Sequence, residues 1–191
     1  MQRTRLDRRK YITVFIVFLS VAALVVIDYL TKRLFLRLHE EKNLVANPII
    51  VIENFFYFSF IYNTGSAYGF LSGAAWAQTF FKIMTPIAVI VFGVLLWLAV
   101  KNNYIVCTSG LGFVVAGTIG NYIDRVSMGK VIDFICLEIN GKRIFGIFNF
   151  ADVMLSVGVV LIIVHFLFLD KNALFGKKDG REKDRTDDTA E

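Results

Sequence analysis

The sequence predicts an all-α membrane bundle with a small β part: four transmembrane helices plus an extracytoplasmic β-rich platform and hairpin. Three observations carry that prediction. The 191-residue chain is 56% hydrophobic with a mean hydropathy of +0.60, more apolar surface than so short a chain can hide in its own core. It contains four apolar runs of bilayer-crossing length, at 11–27, 83–100, 104–123 and 153–169. Between them lie a β-branched, aromatic stretch and an Asn-Gly turn, the marks of strands.

The chain begins with Arg3, Arg5, Arg8, Arg9 and Lys10 ahead of the first apolar run. This imitates a secretory signal, with Ser20-Val21-Ala22 as a small-x-small site. The site lies inside the run, and cutting there would leave a hydrophobic end, so an uncleaved first span is expected. The dense basic N-terminus, with Lys101 in the short link between spans two and three, places both termini and that link in the cytoplasm. Asp28 and Lys32 stand four apart at the outer end of span one, on one helix face, as an ion pair. By themselves they read equally well as an interfacial pair whose lysine snorkels. An outer segment, 34–80, follows. Its residues 49–62, IIVIENFFYFSFIY, lack helical periodicity and read as strands of a platform that could lie on the lipid surface. Asn63-Thr64-Gly65-Ser66 marks a loop. Asn63 alone is more simply a turn residue than an amide aimed at the bundle.

Pro86 is expected in the first turn of span two, where a missing N–H costs little. Span three is rich in small residues (Ser109, Gly110, Gly112, Ala116, Gly117, Gly120), which suits close packing in lipid and makes it the central helix. Its end carries Asn121 and Asp124 on one face, with Arg125 set to pair with Asp124 or to sit at headgroup level. Span four opens with Asn149 as N-cap and Asp152 three residues on, a pattern resembling a capping box. The spans are placed at about 11–30, 82–100, 104–123 and 149–169 within one domain, 1–170. Residues 171–191 form a charged cytoplasmic tail, expected to be disordered.

The net charge of +5 is a difference of scattered charges whose basic members crowd the ends, which fits membrane orientation better than a nucleic-acid surface. Cys107 and Cys136 form neither a disulfide framework nor a metal spacing. His39 lies in His-Glu-Glu-Lys-Asn, which is not HExxH, and His165 is deep in span four. No G-x-S-x-G elbow is present, and no Ser and Lys lie together at an outer span end. Nothing in the pattern asks for a metal or cofactor.

What remains is the stretch 121–152, a polar excursion between two spans. Centring a type I′ turn on Asn140-Gly141 pairs 139 with 142, 137 with 144, 135 with 146 and 133 with 148. Asp133 then lies across from Phe148, about one helical turn before Asp152. Asp152 has a structural explanation as a capping acid. Asp133, in Val-Ile-Asp-Phe-Ile, has none, and an ionisable residue in such a run is a functional candidate. Two neighbouring carboxylates at a low-dielectric boundary cannot both ionise cheaply, so one stays protonated. The charged partner can take a proton from water attacking a carbonyl while the other donates to the carbonyl oxygen. The rival reading of such acids is a proton or cation site in a small transporter or channel. That reading favours acids near mid-span and repeated, interrupted helices, whereas these acids sit at outer span ends and no repeat is visible.

Five segments in order, DYLTK at 28–32, NTGSAYGF at 63–70, GNYIDR at 120–125, VIDF at 131–134 and FNFAD at 148–152, resemble bacterial lipoprotein signal peptidase, signal peptidase II, over roughly 26–160. The resemblance implies an integral aspartyl endopeptidase of the bacterial cytoplasmic (inner) membrane, monomeric and without cofactor, its site near the outer face. Its substrates would be prolipoproteins, cut before a cysteine that already carries diacylglyceryl. By match to the motifs, Asp133 and Asp152 look like the catalytic pair. Asn63, Gly65, Asn121, Arg125 and Asn149 match positions that hold substrate or inhibitors of the globomycin type. Asp28 and Lys32 match a pair that supports the fold, and Asp124 matches a structural aspartate. The chain departs from the family pattern at Tyr29, at Ser66 and Tyr68, and before Phe148, where a proline is common.

Overall fold

The structure, a computed structural model, describes residues 2–65, 74 and 76–169, with residues 2–10 as helical backbone only. Ser66, Tyr68 and the tail lie outside the described residues. Among the described residues, four helices are long and apolar enough to cross a membrane. They are α1 (Gln2–Lys42), α2 (Ala77–Lys101), α3 (Ile105–Met128) and α4 (Phe150–Val164), the last continued by a π-helical turn, His165–Leu169. Strands β1 (Ile49–Ile52) and β2 (Phe56–Asn63) follow α1, and β3 (Val131–Ile139) and β4 (Lys142–Arg143) join α3 to α4.

The helix rich in small residues is the central one: 61% of the α3 window is buried, against 17% or less for the others. Close approach explains the glycines. A Cβ built on Gly110 would lie 2.8 Å from the Gly158 carbonyl oxygen, and one on Gly158 would lie 2.6 Å from that of Gly110. Backbone thus meets backbone where α3 crosses α4. In α2 the expectation for Pro86 fails. The helix starts at Ala77, so Pro86 lies well inside it and removes the N–H that Lys82 would accept. The Tyr122 hydroxyl of α3 points to that freed carbonyl at 3.4 Å, the kind of substitute partner that lets lipid-embedded helices carry proline.

α1 also departs from its expected end near residue 30. It continues to Lys42, where Asn43 takes a left-handed conformation (φ 52) and donates its N–H to the His39 carbonyl. The extension is held by packing. Phe35 stacks on Phe134 at 4.1 Å and His39 on Phe60 at 4.0 Å. Phe35, Leu44, Phe60, Ile132 and Phe134 form a buried core between helix and sheet. The platform therefore stands on α1.

The sheet is antiparallel in the order β1-β2-β3-β4. At its tip Asn140 (φ 53) and Gly141 (φ 73) both have positive φ, as a type I′ turn requires. Ile139 pairs with Lys142, and the Ile144 N–H donates to the Leu137 carbonyl at 3.0 Å, as the turn arithmetic has it. Farther on, the arithmetic fails. Phe148 bridges to Ile135, not to Asp133. β4 is too short to carry the ladder, and the chain rejoins β3 out of the extrapolated register. Asp133 instead pairs with Ile61 of β2. That pairing depends on a register shift between Phe58 and Ile61. Without the extra residue Asp133 would face Phe60, and Tyr62 would take the place Asn63 has beside it; a bulge re-aims one side chain.

Candidate active site

Asp152 is set by the start of α4. The Asn149 side-chain oxygen accepts the Asp152 N–H at 3.0 Å, and Asp152 Oδ2 accepts the Asn149 N–H at 3.1 Å. This is the reciprocal capping box. It folds the Asp152 carboxylate back toward the cap. From the same cap residue, Nδ2 donates to Asp133 Oδ1 at 2.6 Å and lies 3.0 Å from Asn121 Oδ1 and 3.2 Å from the Ile132 carbonyl. One asparagine thus contacts both carboxylates.

The other carboxylate oxygens have their own amides. On the face set by the bulge, Asn63 donates Nδ2 to Asp133 Oδ2 at 2.9 Å. Its Oδ1 accepts the Gly65 N–H at 2.9 Å, so it is turn residue and inward-facing amide together. From α3, Asn121 donates Nδ2 to Asp152 Oδ1 at 2.9 Å. Gly65 and Arg125 lie one step out. Arg125 donates to the Gly65 carbonyl at 3.1 Å and sits over the Phe81 ring at 4.6 Å, tying the loop to α3.

Asp124 pairs not with Arg125 but with Lys32 at 3.3 Å and Arg33 at 3.5 Å, and its Oδ2 accepts the Ile132 N–H at 3.2 Å. That last bond fixes where β3 leaves α3. The snorkelling reading of Lys32 does not hold: Lys32 and Asp28 are both buried and 2.8 Å apart. Asp28 Oδ1 accepts the Ala151 N–H at 2.8 Å, one of the donors a helix start leaves free. Gly120 makes room for it, since a Cβ there would collide with Asp28 Oδ2. The sequence reading missed Arg33. Its signal was the i, i+4 spacing from Tyr29, over whose ring the guanidinium lies at 5.0 Å.

Asp133 is 1% exposed, while Asp152 is only half-buried. Burial first, and then the charge of Asp152, push the Asp133 carboxyl up to about 7. Hydrogen bonds from Asn63 and Asn149 and the charge of Lys32 act the other way. Asp152 opens on a groove of about 420 Å³ whose walls include Asn63, Leu137, Phe148, Val153 and Val157. A larger hollow of about 720 Å³, walled by Ile50, Tyr57 and Glu138 of the sheet, contains neither aspartate. Among the described residues no three His, Cys, Asp or Glu side chains converge as metal ligands. Chemically, the site offers a buried carboxyl able to hold a proton, a second carboxylate facing a groove, and a fixed set of amide donors.

The comparisons with known proteins agree with one another. The model of the family described as signal peptidase (SPase) II matches residues 20–168. The lipoprotein signal peptidase of Geobacillus thermodenitrificans is 35% identical over 154 residues, 80% of this chain and 90% of that protein. That of Listeria monocytogenes serotype 4a is 35% identical over 163 residues, 84% of this chain and 98% of that protein. A solved structure described as a bacterial membrane enzyme superposes with a TM-score of 0.67 at 33% identity, covering 85% of this chain and 92% of its own. With the match running from within α1 through α4, and with the fold shared, the chain belongs to the signal peptidase II family.

Proposed function

We propose that this membrane protease hydrolyses the peptide bond just before a diacylglyceryl-modified cysteine in prolipoproteins, with Asp133 and Asp152 activating the water. The observation that carries the reading is the bridge at Asn149, whose side-chain amide meets Asp133 Oδ1 and whose backbone N–H meets Asp152 Oδ2. Water attacks the carbonyl carbon as Asp152 takes its proton and Asp133 gives its own to the carbonyl oxygen. The tetrahedral species then collapses: Asp152 returns its proton to the leaving nitrogen, and Asp133 recovers the one it lent. The buried, proton-holding position of Asp133 supports this division, as does the groove beside Asp152. The apolar groove walls suit the hydrophobic stretch of a signal peptide, while acyl chains stay in lipid beside α4. Asn63, Asn121 and Asn149 orient the carboxylates, and the loop that Arg125 ties at Gly65 clamps the substrate backbone.

Cleavage of a lipidated precursor and of its unlipidated counterpart, by wild type, Asp133→Asn and Asp152→Asn, tests this. Each substitution is expected to lower kcat by roughly 10²- to 10⁴-fold, the range of a lost acid or base. Substantial cleavage by either variant would refute the pair. Equal cleavage of the unlipidated precursor would refute the substrate assignment.

A further inference from the structure

Lys32 takes no part in the chemistry just described, yet it lies at the foot of the site. It is 1% exposed. Its ammonium reaches Asp28 at 2.8 Å, Asp124 at 3.3 Å and the side-chain oxygen of Asn121 at 2.9 Å. The two carboxylates already compensate its charge. The third contact has a different consequence. An ammonium only donates, so it admits only the oxygen end of the Asn121 amide. The nitrogen end is left facing Asp152, to whose Oδ1 it donates at 2.9 Å. Asn149 Nδ2 donates to that same Asn121 oxygen at 3.0 Å. Flipped, Asn121 would turn its own NH2 toward two donors and its oxygen toward a carboxylate.

We propose that Lys32 is a positioning residue for the hydrolytic step, acting through Asn121 to hold the amide in the one orientation that gives Asp152 a donor; this rests on the aspartate-pair reading above. Its direct charged partners are Asp28 and Asp124, Asp133 feels its charge, and other charged groups belong to the elements of the site. Asp28 and Arg33 come from α1, Asp124 and Arg125 from α3, Asp133 from β3 and Asp152 from α4. Of these, Arg33 is turned to the far oxygen of Asp124, and Arg125 is engaged with the Gly65 carbonyl and the Phe81 ring. Among the described residues, Lys32 is the cation tied by a hydrogen bond to a residue that itself bonds Asp152. Its charge also favours the ionised form of Asp133, so removing it moves the alkaline limb of activity to higher pH.

The test is a double-mutant cycle on cleavage of the lipidated precursor: wild type, Lys32→Met, Asn121→Ala and the double variant, with Asp133→Asn and Asp152→Asn alongside. A role through Asn121 predicts that Lys32→Met lowers kcat roughly 10- to 100-fold, the cost of a misplaced catalytic group, with KM little changed. It predicts that the double variant is no worse than Asn121→Ala by more than about twofold, and that the alkaline limb rises in Lys32→Met. A merely structural lysine predicts multiplied losses, or a folded variant with unchanged kcat and pH profile; either overturns the inference. If Lys32→Met does not fold, the same cycle is run on Lys32→Arg, which keeps the positive charge but replaces the ammonium that reaches Asn121, and its additivity decides. Cleavage surviving in the aspartate variants would overturn the pair itself. Inactive aspartate variants with an additive cycle would overturn only the role of Lys32.

Discussion

A carboxyl whose ordinary value is 3.8 and which rises to about 7 keeps its proton through the acid range and gives it up around neutrality. If Asp133 is the proton donor, activity is present below that value and falls as pH rises through it; the limb belongs to the coupled pair. Asn63 donates to Asp133 and favours its charged form. Asn63→Ala should therefore make Asp133 harder to ionise and shift the alkaline limb of kcat upward, a profile measurable with the lipidated precursor. A downward shift, or none, would place that titration on another group. At this scale the sequence was partly legible. Asp133 stood out because nothing else explained an acid in Val-Ile-Asp-Phe-Ile, and Asn149 because caps have a composition. The contacts of Asn121 with Lys32 and Asp152 were not legible, since no spacing rule links α1, α3 and α4.

Elements were read well where one local rule governs and poorly where packing does. The Asn140-Gly141 turn needs only two positive φ values, and it forms. The register beyond it presumes a continuous ladder, but β4 has two residues and the chain rejoins β3 out of step, at Ile135 and Phe148. Hydropathy stops α1 near residue 30 because it measures fit to lipid, and Asp28, Lys32 and Arg33 close the apolar run. Its last turns form a helix of the water-soluble kind, with Phe35 and His39 spaced four apart to face the sheet. The small residues of α3 were a true packing signal. Gly158→Ala should cost about 1–3 kcal/mol, because its methyl group would press on the Gly110 carbonyl and both backbones must shift. Gly93→Ala in α2, where nothing lies within 4 Å, should cost nothing. Unfolding of both variants in detergent checks the contrast, and equal stabilities would show that α3 and α4 do not approach this closely.

For the whole molecule, helix polarity puts the platform, the loop at Asn63 and both aspartates at one end of the bundle and the 102–104 link at the other. The basic N-terminus predicts that the link is cytoplasmic. Cysteines placed at Asn102 and Lys142 should therefore differ. A membrane-impermeant maleimide should label Lys142→Cys in intact cells and Asn102→Cys only after permeabilisation, against a quiet background because Cys107 and Cys136 are buried. The opposite pattern would invert the topology. One feature of the fold bears on how such a protein relates to its bilayer. α1 runs unbroken over 41 residues, roughly 60 Å at helical rise, about twice the thickness of the hydrocarbon slab. Its final turns are bolted to the sheet by stacked rings. Because the strand that carries Asp133 packs on the last turns of this helix, the helix acts as a gauge, its length and tilt setting how far that aspartate stands from the hydrocarbon. Membranes of different thickness would be met by tilting the whole gauge, not by bending the platform.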